Sequence, residues 1–203
     1  HYLTTYLPKF NTTSDGFILP MLAKTLEDNK PFDKYGCMLG QYKINGLRCI
    51  VGAERNDGDM FNPIKLTYTS REGTRWNLSH LDETILPIIS GDLLDMMLEE
   101  GVCLDGELYL PGASVNQINS YVKNAAFPEH YLLQYWCYDL CVDVMHTQTR
   151  YNILENQLAP TFFNSKEEHL NNKKRFILLP NTTITDISKA IDVRDTFINL
   201  GFE

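Results

Sequence analysis

The sequence has no Cys-x-x-Cys pair, and its five cysteines are an odd number. This pattern indicates neither a disulfide framework nor a structural zinc site, so we interpret the cysteines chiefly as buried thiols. No apolar run reaches the roughly 18 residues that a membrane-spanning helix needs, and no signal peptide is recognisable. We therefore expect a protein of the cytoplasm or nucleus that is not secreted and has no membrane partner.

Positive charge is also scarce. The chain has 18 Lys and Arg residues against 26 Asp and Glu residues, a net charge of −8. Broad, sequence-independent binding of nucleic acid uses clustered cations to neutralise phosphates, so this balance argues against it. Any nucleic-acid contact has to be local, or supplied by parts of the protein outside these 203 residues. Because the chain starts at His1 and stops at Glu203, we read it as a fragment.

Apolar periodicity gives the element order. It predicts strands within 38–71 and near 102–110, 131–140 and 176–179, and helices near 23–28, 85–100, 116–123, 150–158 and 186–200. Thr185 is expected to cap the last helix and Gly201 to end it. Strands and helices interleave without regular βαβ spacing, which predicts the α+β class in a single domain, residues 1–203.

Asn45-Gly46 lies between two apolar-rich runs, which is a strong signal for a two-residue hairpin of type I′. Such a hairpin would set Lys43 directly opposite Arg48. Like charges in that position repel, and a bound anion would explain why both are present. The alternative is that both side chains simply extend into solvent.

Three further clusters follow along the chain. Arg71 stands at the Glu72-Gly73 turn. It either has a functional role there or is simply a solvated charge. In the strand near 102–110, Asp105 and Glu107 share the face opposite the apolar side chains. Paired carboxylates in so apolar a strand are costly unless they meet a metal or a cation, so a functional role competes with a structural salt bridge. Tyr138 ends an aromatic strand, where it is either a core residue or a platform for a base.

Taken in order, these clusters resemble the motifs of the covalent nucleotidyltransferases: ATP-dependent DNA ligases, RNA ligases and capping enzymes. The matching segments are Pro20-Met-Leu-Ala23, Lys43-Ile-Asn-Gly-Leu-Arg48, Ser70-Arg-Glu-Gly73, Asp105-Gly-Glu107, Tyr138-Asp139-Leu140 and a Glu-Gly motif beginning at Glu203. Together with Arg150, which opens a helix after the aromatic strand, they are most similar to phage-like ATP-dependent DNA ligases. The resemblance implies the nucleotidyltransferase (adenylation) fold, with twisted antiparallel sheets flanked by helices.

The resemblance also implies a role for each residue. Lys43 would attack ATP and carry AMP as a phosphoramidate, while Arg48 and Arg71 would contact the AMP or the acceptor end. Glu107 would hold the ribose or Mg²⁺, with Glu203 assisting at the metal. Tyr138 would stack on adenine, and Gln41 would read its edge. The partner would be nicked duplex DNA in repair or replication, bound by a monomer together with domains not present here.

Two departures from the family pattern bear on this reading. Asn45 replaces the family's Asp, which keeps the turn but removes a negative charge. The final Lys-x-Lys motif, part of the C-terminal region and the OB domain are missing, so we expect the fragment alone to be inactive. An RNA ligase, a capping-type guanylyltransferase and a catalytically silent binding module stay open as alternatives.

Overall fold

The structure is a computed structural model that describes residues 14, 18–19, 26–142, 145–158 and 174–202. Its strands are β1 (Met38–Gly40), β2 (Leu47–Arg55), β3 (Ile64–Ser70), β4 (Arg75–Trp76), β5 (Leu104–Tyr109), β6 (Gln134–Leu140), β7 (Phe176–Leu178) and β8 (Thr182–Ile184). Its α-helices are α1 (Lys30–Tyr35), α2 (Asp82–Ile85), α3 (Gly91–Glu99), α4 (Val115–Lys123), α5 (Thr147–Gln157) and α6 (Ile187–Asn199). Among the described residues, no helix combines the length and apolarity needed to cross a bilayer.

Six of the strands form one sheet in the order β4-β3-β2-β5-β6-β7, and β1 pairs with β8 in a separate two-stranded sheet. Every pairing is antiparallel apart from β6 with β7. The predicted α+β class is confirmed, and β5, which carries the paired carboxylates, lies centrally between β2 and β6.

Strand β6 is buried on both faces because successive side chains point to opposite sides of a sheet. Tyr135 and Cys137 enter the main core, which α3, α4 and α5 cover. Trp136 enters a smaller aromatic cluster on the other face, with Ile44, Ile177, Leu179 and Phe202 as its buried members. This second cluster brings the segment after β1 against the end of β6.

The predicted helix over 85–100 is wrong as one continuous element. The chain instead forms α2, then a 3-10 turn over Leu86–Ile88, and only then α3. Pro87 falls at the start of the 3-10 turn, and Ile89 is extended, in an isolated bridge with Leu158. Ser90 then caps α3 by accepting a hydrogen bond from the Leu93 amide. Apolar periodicity alone does not predict a helix cap in the middle of an apolar run.

The last helix is close to prediction, with one correction at its start. Asp186, rather than Thr185, is the N-cap: its carboxylate accepts the Lys189 amide at 2.9 Å. Gly201 follows the helix with φ of 92°, as expected for a terminating glycine. The helix predicted over 23–28 is absent at 26–28. Its first part and the Pro20–Ala23 element lie outside the described residues.

A buried ion pair fixes the end of β6 to α5. The Arg150 guanidinium donates to both oxygens of Asp139, at 2.7 and 2.8 Å, and the Asp139 carboxylate also accepts the Leu140 amide. The Arg150 side chain is 6% exposed. Removing one partner of such a pair leaves an uncompensated buried charge, so the pair stabilises the packing of α5 against the end of β6.

We expect Arg150→Ala to lower the free energy of unfolding by about 3–5 kcal/mol, because Asp139 would stay buried without its cation. Urea unfolding of the purified chain measures this loss. Arg194→Ala is the matched control, since Arg194 pairs with Asp195 at an exposed site and such pairs contribute about 0–1 kcal/mol. Equal losses in the two variants would contradict the role given to Arg150.

Candidate active site

The predicted hairpin at Asn45-Gly46 is wrong. A type I′ turn needs positive φ at both central residues, and neither residue has it. Strand β1 pairs with β8, whereas β2 pairs with β3 and β5, so residues 41–46 cross from one sheet to the other. The residue opposite Arg48 is therefore Glu107 on β5, not Lys43. The expected repulsion is replaced by a pairing of opposite charges.

Packing on one side orients the crossing segment. Ile44 is buried in the aromatic cluster, and the Tyr42 ring lies 4.4 Å from that of Phe197. Lys43, between these two anchors, is exposed. It lines a cleft of about 240 Å³ together with Asn45, Tyr109, Ala113, Ser114, Val115, Gly201 and Phe202. Lys43 is thus exposed in this cleft, next to the edge of the aromatic cluster at Phe202.

Gly46 brings this segment against β5. Its amide donates to the Glu107 carboxylate at 3.2 Å. A Cβ atom on residue 46 would lie 2.2 Å from the carbonyl oxygen of Leu108, a backbone atom that cannot turn aside. Glycine is therefore required here by close approach of two backbones, not by positive φ.

We expect Gly46→Ala to separate the crossing segment from β5, because the new methyl group overlaps the Leu108 carbonyl. The loss of stability should be about 1–3 kcal/mol, the range for overpacked sites, measured by urea unfolding. Gly91→Ala is the control, since a Cβ there meets nothing within 4 Å and alanine suits the first turn of α3. A Gly46→Ala variant as stable as Gly91→Ala would show that the approach is not tight.

Arg48 is held by the other carboxylate of β5. Its guanidinium makes two hydrogen bonds to Asp105, one of them at 2.9 Å, and stands over the Tyr138 ring at 5.9 Å from the centroid. Burial raises the pKa of Asp105, and the hydrogen bonds from Arg48 oppose that rise. For Asp105 the structural salt bridge is therefore what is observed, while a role in chemistry stays a prediction for Glu107.

Glu107 has a different electrostatic setting. Burial raises its pKa from 4.5 to about 7, and the Gly46 amide, Arg48 and Lys43 lower it only in part. A buried carboxyl group that is costly to ionise gains from an added cation, so its charge state can respond to a ligand.

The raised pKa predicts a pH-dependent difference between the native protein and Glu107→Gln. When the pKa of a carboxyl group is higher in the folded than in the unfolded protein, its ionisation destabilises the fold. This loss of stability is absent below the unfolded pKa of 4.5 and grows until the pH reaches the folded pKa of about 7. Glutamine keeps an acceptor for the Gly46 amide without titrating. We therefore expect the stability of the variant relative to native protein to rise by about 1–3 kcal/mol between about pH 5 and about pH 8.

Urea unfolding at both pH values tests this expectation. Glu99→Gln, which removes an exposed carboxylate, controls for the general loss of one negative charge. A stability difference for Glu107→Gln that is the same at both pH values contradicts the raised pKa.

The end of β6 meets the crossing segment through Gln41. The Gln41 side-chain amide donates to the backbone carbonyl of Tyr138 at 3.0 Å. The Tyr138 ring is half-buried against the aromatic cluster and faces Arg48. Burial raises the pKa of its hydroxyl, so the phenol stays neutral. The predicted contacts of Gln41 and Tyr138 with a base remain predictions.

Arg71 lies in a second cleft. The predicted turn is present: Gly73 has φ of 86°, and the Ser70 hydroxyl accepts the amides of Glu72 and Thr74. Arg71 is exposed beside a cleft of about 340 Å³. The other lining residues are Gly46, Leu47, Arg48, Ser70, Glu72, Thr74, Trp76, Asn119 and Lys123. The structure thus brings Arg48 and Arg71 to one cleft and Lys43 to another.

The sequence interpretation missed three residues of this second cleft, namely Trp76, Asn119 and Lys123. The i, i+4 spacing of Asn119 and Lys123 on a predicted helix was the available signal. Glu203, expected at a metal, lies outside the described residues. Within the part of the chain that is described, no group of three His, Cys, Asp or Glu side chains is arranged to hold a metal.

The fold of this chain matches that of solved DNA ligase structures. The chain is similar to the Chlorella virus DNA ligase-adenylate, with a TM-score of 0.57 and 20% identity over 91% of this chain and 58% of that one. It is also similar to a structure named Pmar-Lig_Pre, with a TM-score of 0.54 and 15% identity over 94% of this chain and 43% of that one. The predicted fold is confirmed.

The likeness is one of fold. No protein-family model matches the sequence, and no curated protein matches it. The chain spans 58% of the length of the Chlorella virus ligase.

Proposed function

We propose that this chain is the adenylation domain of an ATP-dependent polynucleotide ligase that acts on nicked DNA. The Lys43 amine attacks the α-phosphorus of ATP, the bond from that phosphorus to the pyrophosphate oxygen breaks, and the amine loses a proton. A lysyl-AMP phosphoramidate results. A 5′-phosphate oxygen of the nick then attacks the same phosphorus and releases the lysine, leaving an activated end for sealing.

One observation carries this proposal: the segment bearing Lys43 is clamped to the central strand β5 by two contacts. The Gly46 amide bonds to Glu107, and Arg48 bonds to Asp105. The lysine motif and the Asp-Gly-Glu motif, 57 to 61 residues apart in the chain, thereby form one unit. Transfer of a phosphoryl group depends mainly on positioning and charge neutralisation, and this unit joins the segment that bears the amine to the Glu107 carboxyl and the Arg48 guanidinium.

The remaining roles are those that the family resemblance implies. Arg48 contacts the sugar or phosphate of the nucleotide, and its bond to Asp105 holds the guanidinium in place. Tyr138 offers its ring to adenine from the end of β6, and Gln41 reads the edge of the base. Because Gln41 now bonds to the Tyr138 carbonyl, adenine recognition by its side chain requires that amide to change partner.

Mg²⁺ is the expected metal, and the residues present fit it. The Glu107 carboxyl is largely buried, has a raised pKa, and gains from a cation. Magnesium prefers carboxylate oxygens and often keeps several waters, so one or two carboxylates suffice. Glu107 would hold it, with Glu203 assisting. When bound, the metal neutralises charge on the phosphates.

Mass spectrometry of the intact full-length protein after exposure to ATP and Mg²⁺ tests the proposal. We expect a mass increase of one adenylyl group in native protein and none in Lys43→Arg, because a guanidinium keeps the charge but is no nucleophile at neutral pH. Lys65→Arg is the matched control. Lys65 lies on β3 and pairs with Glu54, so its variant should form the adduct as native protein does.

The same measurement separates the alternatives. A guanylyl adduct with GTP and none with ATP would favour a capping-type enzyme instead. An adduct that is passed to nicked RNA but not to nicked DNA would indicate an RNA ligase. If neither nucleotide gives an adduct, the enzyme proposal is rejected in favour of a binding module.

A further inference from the structure

Two of the cysteines lie opposite each other where strands β5 and β6 meet. The pairing of these strands sets Leu104 opposite Leu140. One residue further out, the Cys141 amide donates to the carbonyl oxygen of Cys103 at 2.9 Å, which extends the ladder. Residues directly opposite in an antiparallel pair point to the same face of the sheet. The Cys103 and Cys141 side chains are therefore neighbours on one face.

This face also carries the Arg48–Asp105 ion pair. Asp105 follows Cys103 at the spacing that puts two side chains on the same side of a strand, and its carboxylate accepts the Arg48 guanidinium. On β2, a Cβ atom at Gly52 would lie 3.3 Å from the Cys103 sulfur, and alternation puts Gly52 and Arg48 on one face. The pair of thiols is thus adjacent to the carboxylate that holds Arg48.

The spacing of opposite residues is compatible with a disulfide. Their Cα atoms lie about 4.5–5.5 Å apart in an antiparallel pair, and a disulfide spans about 4.4–6.8 Å between Cα atoms. Their Cβ atoms lie about 4.5–5.5 Å apart, whereas a disulfide has them at about 3.8 Å. A closing movement of about 1 Å between the ends of β5 and β6 is therefore enough to bridge the two sulfurs.

From this arrangement we infer that Cys103 and Cys141 form a disulfide when a peroxide oxidises them, and that the bridge slows adenylation. The effect on adenylation rests on the proposed function, whereas formation of the bridge does not. The closing movement acts on the end of β5 next to Asp105, and Arg48 is held by Asp105. A misplacement of about 1 Å at a positioned group can lower a rate by about 10²-fold.

The oxidation takes place in two steps. The Cys103 sulfur loses its proton and attacks one oxygen of hydrogen peroxide, the O–O bond breaks, and the leaving hydroxide takes up a proton to become water. Cys103 is then a sulfenic acid. The Cys141 sulfur attacks the Cys103 sulfur, the S–O bond breaks, and a second water leaves with the Cys141 proton. The two thiols lose two electrons, and the peroxide is reduced to two waters.

Exposure and charge decide which thiol reacts first and how readily. Cys103 is partly exposed, whereas Cys141 is buried, so the peroxide reaches Cys103 first. Burial raises the pKa of the Cys103 thiol to about 12, and the nearby Asp105 carboxylate adds to the rise. Since the thiolate is the reactive form, the pair stays reduced until a peroxide is supplied.

Treatment of the full-length protein with hydrogen peroxide, followed by its removal, tests this inference. Peptide mapping by mass spectrometry after alkylation of the remaining free thiols should find residues 103 and 141 linked. The intact protein should lose the mass of two hydrogen atoms. The rate of adduct formation with ATP should fall about tenfold or more, and reduction with dithiothreitol should restore it.

Two serine variants identify the thiols responsible. Cys103→Ser keeps a donor for the Gly101 carbonyl oxygen, which the Cys103 thiol contacts at 3.4 Å, but it cannot form the bridge. We expect it to form the adduct at the native rate both before and after peroxide. Cys37→Ser is the matched control. It removes an exposed thiol just before β1, so this variant should lose activity on oxidation as native protein does.

Three results would overturn the inference. The first is the absence of a link between residues 103 and 141 in oxidised native protein, a measurement that needs no variant. The second is a link that leaves the rate of adduct formation unchanged. The third is an equal loss of activity in oxidised Cys103→Ser. A link in a protein that forms no adduct even when reduced would support the thiol pair while rejecting the proposed enzyme.

Discussion

The close contact of the 41–48 segment with strand β5 is the constraint on which the site depends. Gly46 has no side chain, so the backbones approach until its amide reaches Glu107. Arg48 is thereby brought into register with β5, where it bonds to Asp105. These contacts fix the end of the crossing segment that enters β2. The position of Lys43 therefore depends on how the crossing segment is held.

The same contact explains which predictions from sequence succeeded. Alternation in β5 was sufficient to place Asp105 and Glu107 on one face, because strand periodicity is a local property. The Asn45-Gly46 hairpin failed for the opposite reason. Burial of Ile44 among Trp136, Ile177, Leu179 and Phe202 and the bond to Glu107 outweigh a turn preference that is worth little by itself. Neither contact is visible in the local sequence.

Long-range pairing also decided what the candidate residues do. The sequence offered Asp105 and Glu107 as equivalent carboxylates, yet their environments differ once β2 lies beside β5. Asp105 has a cation as its hydrogen-bond partner, whereas Glu107 has a backbone amide and a pKa of about 7. Neighbouring carboxylates in different environments can take different roles, one structural and one responsive to ligand. That distinction comes from the contacts that Arg48 and Gly46 make with β5, which the local sequence does not reveal.

An acidic chain can still attract an anion if its cations are distributed unevenly. Several arginines and lysines outside the site are paired with carboxylates, as in Arg55 with Glu99 and in Lys65 and Arg75 with Glu54. Such pairs contribute little field beyond the Debye length. Arg71 and Lys123 belong to no such pair among the described residues, and both line one cleft. The net charge therefore describes the surface as a whole, while Arg71 and Lys123 make the lining of one cleft locally more positive.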